Sequence, residues 1–213
     1  MSESDDDDLQ LCPSTLVALN EFLNEKNERE NQLKCILDNE ALNVSFDENW
    51  QLSQFWYDVN TTDTLIKGIL NATDPEGKIA LISCPTLYKK LKANCGERQI
   101  TLFEFDERFK AFGSDFVFYD YKFPLNIPAH MSSFYDLVVA DPPFLSDECL
   151  MKTALTVTFL AKKNIVLCTG AVMAELAKRL LDVEICDFVP HHQNNLANEF
   201  YCYSNFDFDK MLK

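Results

Sequence analysis

From residue 78 onward the chain alternates between short, continuously apolar runs and stretches with helical periodicity. Lys78–Ser83, Ile100–Phe105, Phe116–Asp120, Tyr135–Ala140, Ile165–Thr169, Val183–Val189 and Phe200–Phe206 read as strands. Their apolar positions are consecutive rather than alternating, the mark of strands buried on both faces as in parallel sheets covered by helices. Thr61–Ala72, Thr86–Asn94, Asp147–Ala161 and Ala171–Leu181 read as helices, with Leu150, Ala154, Val157 and Ala161 keeping to one face. Strands alternating with helices predict a doubly wound α/β fold. Only a loop separates Val189 from Phe200, too short for a parallel crossover, so the last two strands should close as an antiparallel hairpin.

Before residue 46 the pattern differs. Residues 1–13 are acidic, Leu16, Leu19 and Leu23 recur at helical spacing after Pro13-Ser14, and a polar, Asn- and Glu-rich linker follows. The chain therefore divides into an N-terminal segment, 1–45, and one globular domain, 46–213, in keeping with its length of 213 residues.

Charge narrows the choice of partner. A net charge of −15 repels phosphate backbones, whose affinity for proteins rests on Lys and Arg. Nucleic acid is therefore disfavoured, and a basic protein surface is the easier match. Eight cysteines without a Cys-x-x-Cys pair, three of them (Cys84, Cys168, Cys186) in or beside apolar runs, suggest reduced thiols in the cytoplasm rather than a disulfide framework or a zinc site. His191 and His192 read as a solvated turn, and no metal site is expected. No apolar run approaches the roughly 18 residues of a membrane span. Nothing in the pattern fixes an oligomeric state.

Candidate chemistry sits where open α/β sheets bind ligands, beyond the carboxyl ends of their strands. Those ends carry Ser83, Asp106, Asp120 and Asp141. Asp106 is placed to meet a pair of ribose hydroxyls, and Asp120 to accept from an adenine amine with Tyr121 beside the ring. A dinucleotide or nucleotide triphosphate would also need a glycine-rich phosphate turn, yet the first turn is Ser83-Cys84-Pro85-Thr86 and the chain has only 5 glycines. Nucleoside signals without phosphate signals favour S-adenosylmethionine as cofactor. Tyr135-Asp-Leu-Val-Val-Ala140 then runs directly into Asp141, Pro142, Pro143 and Phe144. The prolines fix φ and carry no N–H, leaving the carbonyls of Asp141 and Pro142 as acceptors that can orient an amine. A Phe144 ring beside that nitrogen would stabilise the positive charge that develops on it.

The Asp-Pro-Pro-Phe turn is similar to the D/N-P-P-F/Y/W motif of amine-directed methyltransferases, which act on adenine, glutamine or lysine. Seven strands with a terminal hairpin resemble the Rossmann-like sheet of the class I methyltransferases. Four segments together resemble one family: Asn49-Trp-Gln-Leu-Ser-Gln-Phe-Trp-Tyr57, Ala140-Asp-Pro-Pro-Phe-Leu-Ser146, Leu167-Cys-Thr-Gly170 and Asn195-Leu-Ala-Asn-Glu-Phe200. It is the translation elongation factor 1-alpha lysine methyltransferase family, once named as adenine-specific DNA methyltransferases. The resemblance implies S-adenosylmethionine as donor and a lysine of the elongation factor as acceptor. It implies an acceptor site at Asp141, Pro142, Pro143 and Phe144, with Asp106 at the ribose and Asp120 at the adenine. Ser83 and Pro85 would stand in for a glycine-rich loop near methionine. Gln54 and Trp56 would belong to a lid over the cofactor, and Asn198 and Glu199 would lie near the substrate lysine. The alternative is an adenine-specific nucleic-acid methyltransferase using the same turn, which would need a basic channel and a flipped base.

Overall fold

The computed structural model describes residues 46–194, 196 and 198–213. The amphipathic helix and linker expected ahead of residue 46 lie outside them, as does Asn195 of the hairpin loop. Seven strands form one sheet: β1 (Lys78–Ile82), β2 (Gln99–Glu104), β3 (Phe116–Phe118), β4 (Tyr135–Ala140), β5 (Ala161–Gly170), β6 (Glu184–Ile185) and β7 (Phe200–Ser204). Their order is β3-β2-β1-β4-β5-β7-β6. The β1–β5 pairs are parallel, and β7 runs antiparallel to both β5 and β6. The expected terminal hairpin is present, but β6 keeps only two residues of the predicted Val183–Val189 run. The Cys186 N–H still donates to the Cys202 carbonyl of β7 at 2.9 Å, and beyond it the N–H groups of Asp187 and Phe188 are taken by the Asp209 carboxylate.

Four α-helices flank the sheet: α1 (Val59–Asn71), α2 (Pro85–Asn94), α3 (Asp147–Leu160) and α4 (Ala174–Leu181). Their starts follow capping chemistry. The Asp58 carboxylate accepts from the Thr61 N–H at 2.6 Å, and the Ser146 hydroxyl accepts from the Cys149 N–H at 3.3 Å. Pro85 opens α2, where its missing N–H costs nothing. The first turn of the predicted Ala171–Leu181 helix is a 3₁₀ turn, Ala171–Met173.

Alternating residues of the central strands divide the core between the two faces. Ile79, Leu81, Leu137 and Val139 pack with Leu65 and Ile69 of α1 and Leu87 and Leu91 of α2. Ala80, Ile82, Val138 and Ala140 pack with Leu150 and Val157 of α3 and Ala177 of α4. Ile79, Leu81, Leu137 and Leu87 are fully buried, each worth roughly 1.5–3 kcal/mol of burial. These paired faces hold β1 and β4 side by side, and that junction matters for function. Strand order reverses there, since β2 and β3 lie on one side and β5 on the other, and a reversal of this kind opens a crevice at the carboxyl ends of the strands.

Candidate active site

A cavity of about 360 Å³ occupies that crevice. Ser83, Cys84 and Pro85 line it from the β1–α2 turn, Glu104 and Phe105 from the end of β2, and Asp120 and Tyr121 from beyond β3. Asp141, Pro142, Pro143, Phe144 and Leu145 line it from the end of β4, and Gln54 and Trp56 come from the segment ahead of α1. His192, Leu196, Asn198 and Phe200 close the remaining side.

Ser83 explains how a glycine-free first turn still bends sharply. Its φ is +54°, in the left-handed region that a glycine would occupy without strain. Its N–H donates to the Phe103 carbonyl at 2.9 Å, tying the turn to β2. The chain then enters α2, whose first turn lacks a side-chain cap and faces the cavity through Cys84, Pro85 and Thr86.

The acids at the strand ends divide in function. Asp106 is buried but does not line the cavity. Its carboxylate accepts from Gln54 Nε2 at 3.0 Å and from Arg108 Nε at 2.7 Å. Gln54 in turn accepts from Arg108 Nη2 at 3.0 Å and from the Asn49 N–H at 3.2 Å. Asp106 therefore anchors the 49–54 segment against β2. The acid that faces the cavity at this strand end is Glu104, whose Oε1 accepts from the N–H groups of Phe105 and Asp106. Burial pushes the Glu104 carboxyl up to about 7, helped by the neighbouring Asp106 charge and opposed by those backbone hydrogen bonds.

Asp141 is the second acid of this kind. Burial drives its carboxyl up to about 7, a hydrogen bond from Tyr57 works in the opposite direction, and the Glu104 charge adds to the rise. The Tyr57 hydroxyl donates to Asp141 Oδ2 at 2.6 Å, and the Asp141 N–H donates to the Ile82 carbonyl at 3.0 Å. Pro142 and Pro143 then carry the chain over the crevice to Phe144, a ring 44% exposed and 5.7 Å from that of Tyr121. Gly170, at the end of β5, lets this turn approach: a Cβ there would stand 2.8 Å from Leu145 Cδ2. The Leu-Cys-Thr-Gly segment is thus fitted to the Asp-Pro-Pro-Phe segment beside it.

Trp56 is half-buried, its indole N–H donating to the Phe46 carbonyl at 3.2 Å and its backbone N–H to Glu48 at 2.7 Å. Asn198 lines the cavity, while Glu199 is exposed outside it, with Oε2 accepting from the Tyr201 hydroxyl at 3.4 Å. The expected solvated turn at His191 and His192 is corrected at its second residue. His192 is half-buried, its ring centroid 5.0 Å from that of Tyr57 and 4.9 Å from that of Phe200. Burial lowers its pKa against the pull of Glu48 and Asp58.

Strand-end reasoning passes over Glu104 and His192, which line the cavity, and Tyr57, which meets it only through Asp141. Glu104 could have been found from its register, since it is the last residue of β2 and Asp106 already lies beyond it. Tyr57 and His192 carry no local signal, because they meet across 135 positions of sequence, joined by an isolated antiparallel bridge.

Residues 48–208 match a family model described as Probable N6-adenine methyltransferase. The chain is 47% identical to EEF1A lysine methyltransferase 1 of Mus musculus over 211 residues, covering 97% of both chains. It is 42% identical to a protein-lysine N-methyltransferase of Caenorhabditis elegans, covering 95% of this chain and 97% of that one. Among solved structures, a TehB-like SAM-dependent methyltransferase of Corynebacterium glutamicum superposes with a TM-score of 0.50 at 14% identity, over 69% of this chain and 87% of that one. At that identity the likeness is one of fold.

Proposed function

We propose a function on one premise: this chain belongs to the EEF1A lysine methyltransferase family. It transfers a methyl group from S-adenosylmethionine to a lysine side chain of elongation factor 1A, and it does so in the cytoplasm, where the cysteines among the described residues, buried and unpaired, are chemically at home. The observation that carries this reading is the Asp141–Phe144 turn, set at the edge of a cavity whose acids favour a cationic guest.

The donor set suits the cofactor. Glu104, now in place of Asp106, accepts from ribose hydroxyls, while Asp106 holds Gln54 and the cover segment in position. Asp120 accepts from the adenine amine with Tyr121 alongside. The positive end of α2, entered through Ser83 and Pro85, suits the methionine carboxylate. When bound, S-adenosylmethionine supplies a methyl group made electrophilic by its sulfonium.

The chain's own residues prepare the acceptor. A lysine ε-ammonium has a pKa of about 10.4 in water and must lose a proton before its nitrogen can attack. Phe144 and the other rings at the opening remove water from it and lower that pKa. The carbonyls of Asp141 and Pro142, with the Asp141 carboxylate, accept hydrogen bonds from the amine and aim its lone pair into the cavity.

Two carboxyls held near neutrality make cofactor binding a proton-linked event. With both carboxyls pushed up to about 7 by burial, each is protonated in part at neutral pH. A cationic guest favours the charged forms, so S-adenosylmethionine binding at pH 7 should release up to about one proton. Calorimetric titration in buffers of different ionisation enthalpy measures this directly; a binding heat independent of buffer would contradict it.

The second reading, adenine methylation in nucleic acid, is favoured by the description of the matching family model. The net charge of −15 opposes it. Mass spectrometry of elongation factor 1A from cells with and without this protein tests the preferred reading. A lysine that loses 14-dalton methyl increments in the deficient cells supports it, and an unchanged methylation pattern overturns it.

A further inference from the structure

Tyr57 sits 2% exposed, directly against the acceptor turn, and does not itself line the cavity. Among the described residues its hydroxyl has one partner, Asp141 Oδ2, at 2.6 Å. Its backbone is held as firmly as its side chain. The Tyr57–His192 bridge is reinforced by Asp58 N–H to the His191 carbonyl at 3.0 Å and by Gln193 N–H to the Trp56 carbonyl at 2.8 Å. The His191 N–H donates to Thr61 Oγ1 at 2.8 Å, and Gln193 Nε2 donates to the Tyr57 carbonyl at 3.3 Å. The loop between β6 and β7 thus clamps residues 56–58, and those residues present one phenol to one carboxylate.

We propose that Tyr57 is a positioning residue: its hydroxyl occupies Oδ2 of Asp141 and leaves Oδ1 as the oxygen available to the acceptor amine. Two oxygens of a carboxylate are equivalent until one is occupied, and a buried ring fixed at both ends removes the rotation that would exchange them. The inference rests on the lysine methyltransferase reading and adds to it the device that orients the turn. It also assigns a purpose to the β6–β7 loop, which reaches the reacting centre through Tyr57.

The groups facing this pair are few among the described residues. Glu104 faces Asp141 from β2, Cys84 from the start of α2 and Cys149 from α3, and Cys168 approaches the phenol from β5. His192, packed on the Tyr57 ring, is held toward its neutral form by burial. A donated hydrogen bond favours the charged carboxylate, so removing it raises the pH needed to ionise Asp141.

The test is Tyr57→Phe, which keeps the ring, assayed with purified elongation factor 1A between pH 6 and 9. The variant should lose about tenfold in kcat, with KM for protein and cofactor within about twofold, and the acid limb of kcat/KM should move to higher pH. Incorporating 3-fluorotyrosine at position 57, a stronger hydrogen-bond donor, should move that limb the opposite way; it serves equally if Tyr57→Phe folds poorly. Wild-type activity with an unmoved acid limb in both variants overturns the positioning role. A wild-type protein that leaves the elongation factor unmodified overturns the underlying reading instead.

Discussion

Replacing Asp141 with alanine abolishes methylation of elongation factor 1A, lowering kcat by about a thousandfold, within the range typical of a lost acid–base or orienting group. The substitution removes the carboxylate that aims the amine and leaves the Tyr57 hydroxyl without its partner. It leaves the turn itself in place, because the Asp141 N–H still donates to the Ile82 carbonyl and both prolines remain. Affinity for S-adenosylmethionine should therefore stay within about threefold, less than 1 kcal/mol. Single-turnover assays with calorimetric binding separate the two effects. A variant that turns over within tenfold of the wild type would remove Asp141 from the mechanism.

Phe144→Ala is the second large effect. The ring is 44% exposed at the cavity edge, where a bound lysine would cover it. A desolvated ring against a developing cation contributes about 2 kcal/mol, so its loss should lower kcat/KM for the elongation factor about thirtyfold. Phe144→Tyr or Phe144→Trp keeps a π face and should retain most of the activity, whereas Phe144→Leu keeps the bulk and should not. Steady-state kinetics on these variants read the difference. Leucine at wild-type rates would show that the position needs only an apolar wall.

What the chain's pattern reveals and what it hides divide along physical lines. Buried parallel strands announce themselves because both faces are apolar, so β1, β4 and the terminal hairpin are legible from residues alone. The Asp-Pro-Pro-Phe turn is legible because Pro cannot continue a ladder and marks where β4 stops. The short β6 is over-read from sequence: Val183–Val189 is largely apolar, yet the Asp209 carboxylate captures backbone N–H groups that a longer strand would need. Asp106 shows how an acid at a strand end resists assignment from sequence. Glu104 and Asp106 are two residues apart, and both are plausible ligands for hydroxyls. What separates them is Arg108, which pairs with Asp106, and Gln54, which comes from a segment 52 residues earlier.

Contacts across such separations explain the remaining gaps. In sequence Tyr57 is one of several neighbouring aromatic residues, and His192 reads as half of a solvated turn. Their roles depend on the β6–β7 loop folding back over the start of α1, a tertiary event with no periodicity to betray it. Two segments that carry the family resemblance come near that meeting point: Asn49–Tyr57 ends in it, and Phe200, the last residue of Asn195–Phe200, packs on His192. Asn195 itself lies outside the described residues.

This cavity methylates a protein lysine rather than a nucleobase. Transfer of tritiated methyl from S-adenosylmethionine, offered in parallel to purified elongation factor 1A, duplex DNA and single-stranded RNA, tests it most directly. Label should enter the protein alone and be lost on Asp141→Ala; label in either nucleic acid, with the elongation factor unlabelled, would show a nucleobase acceptor instead.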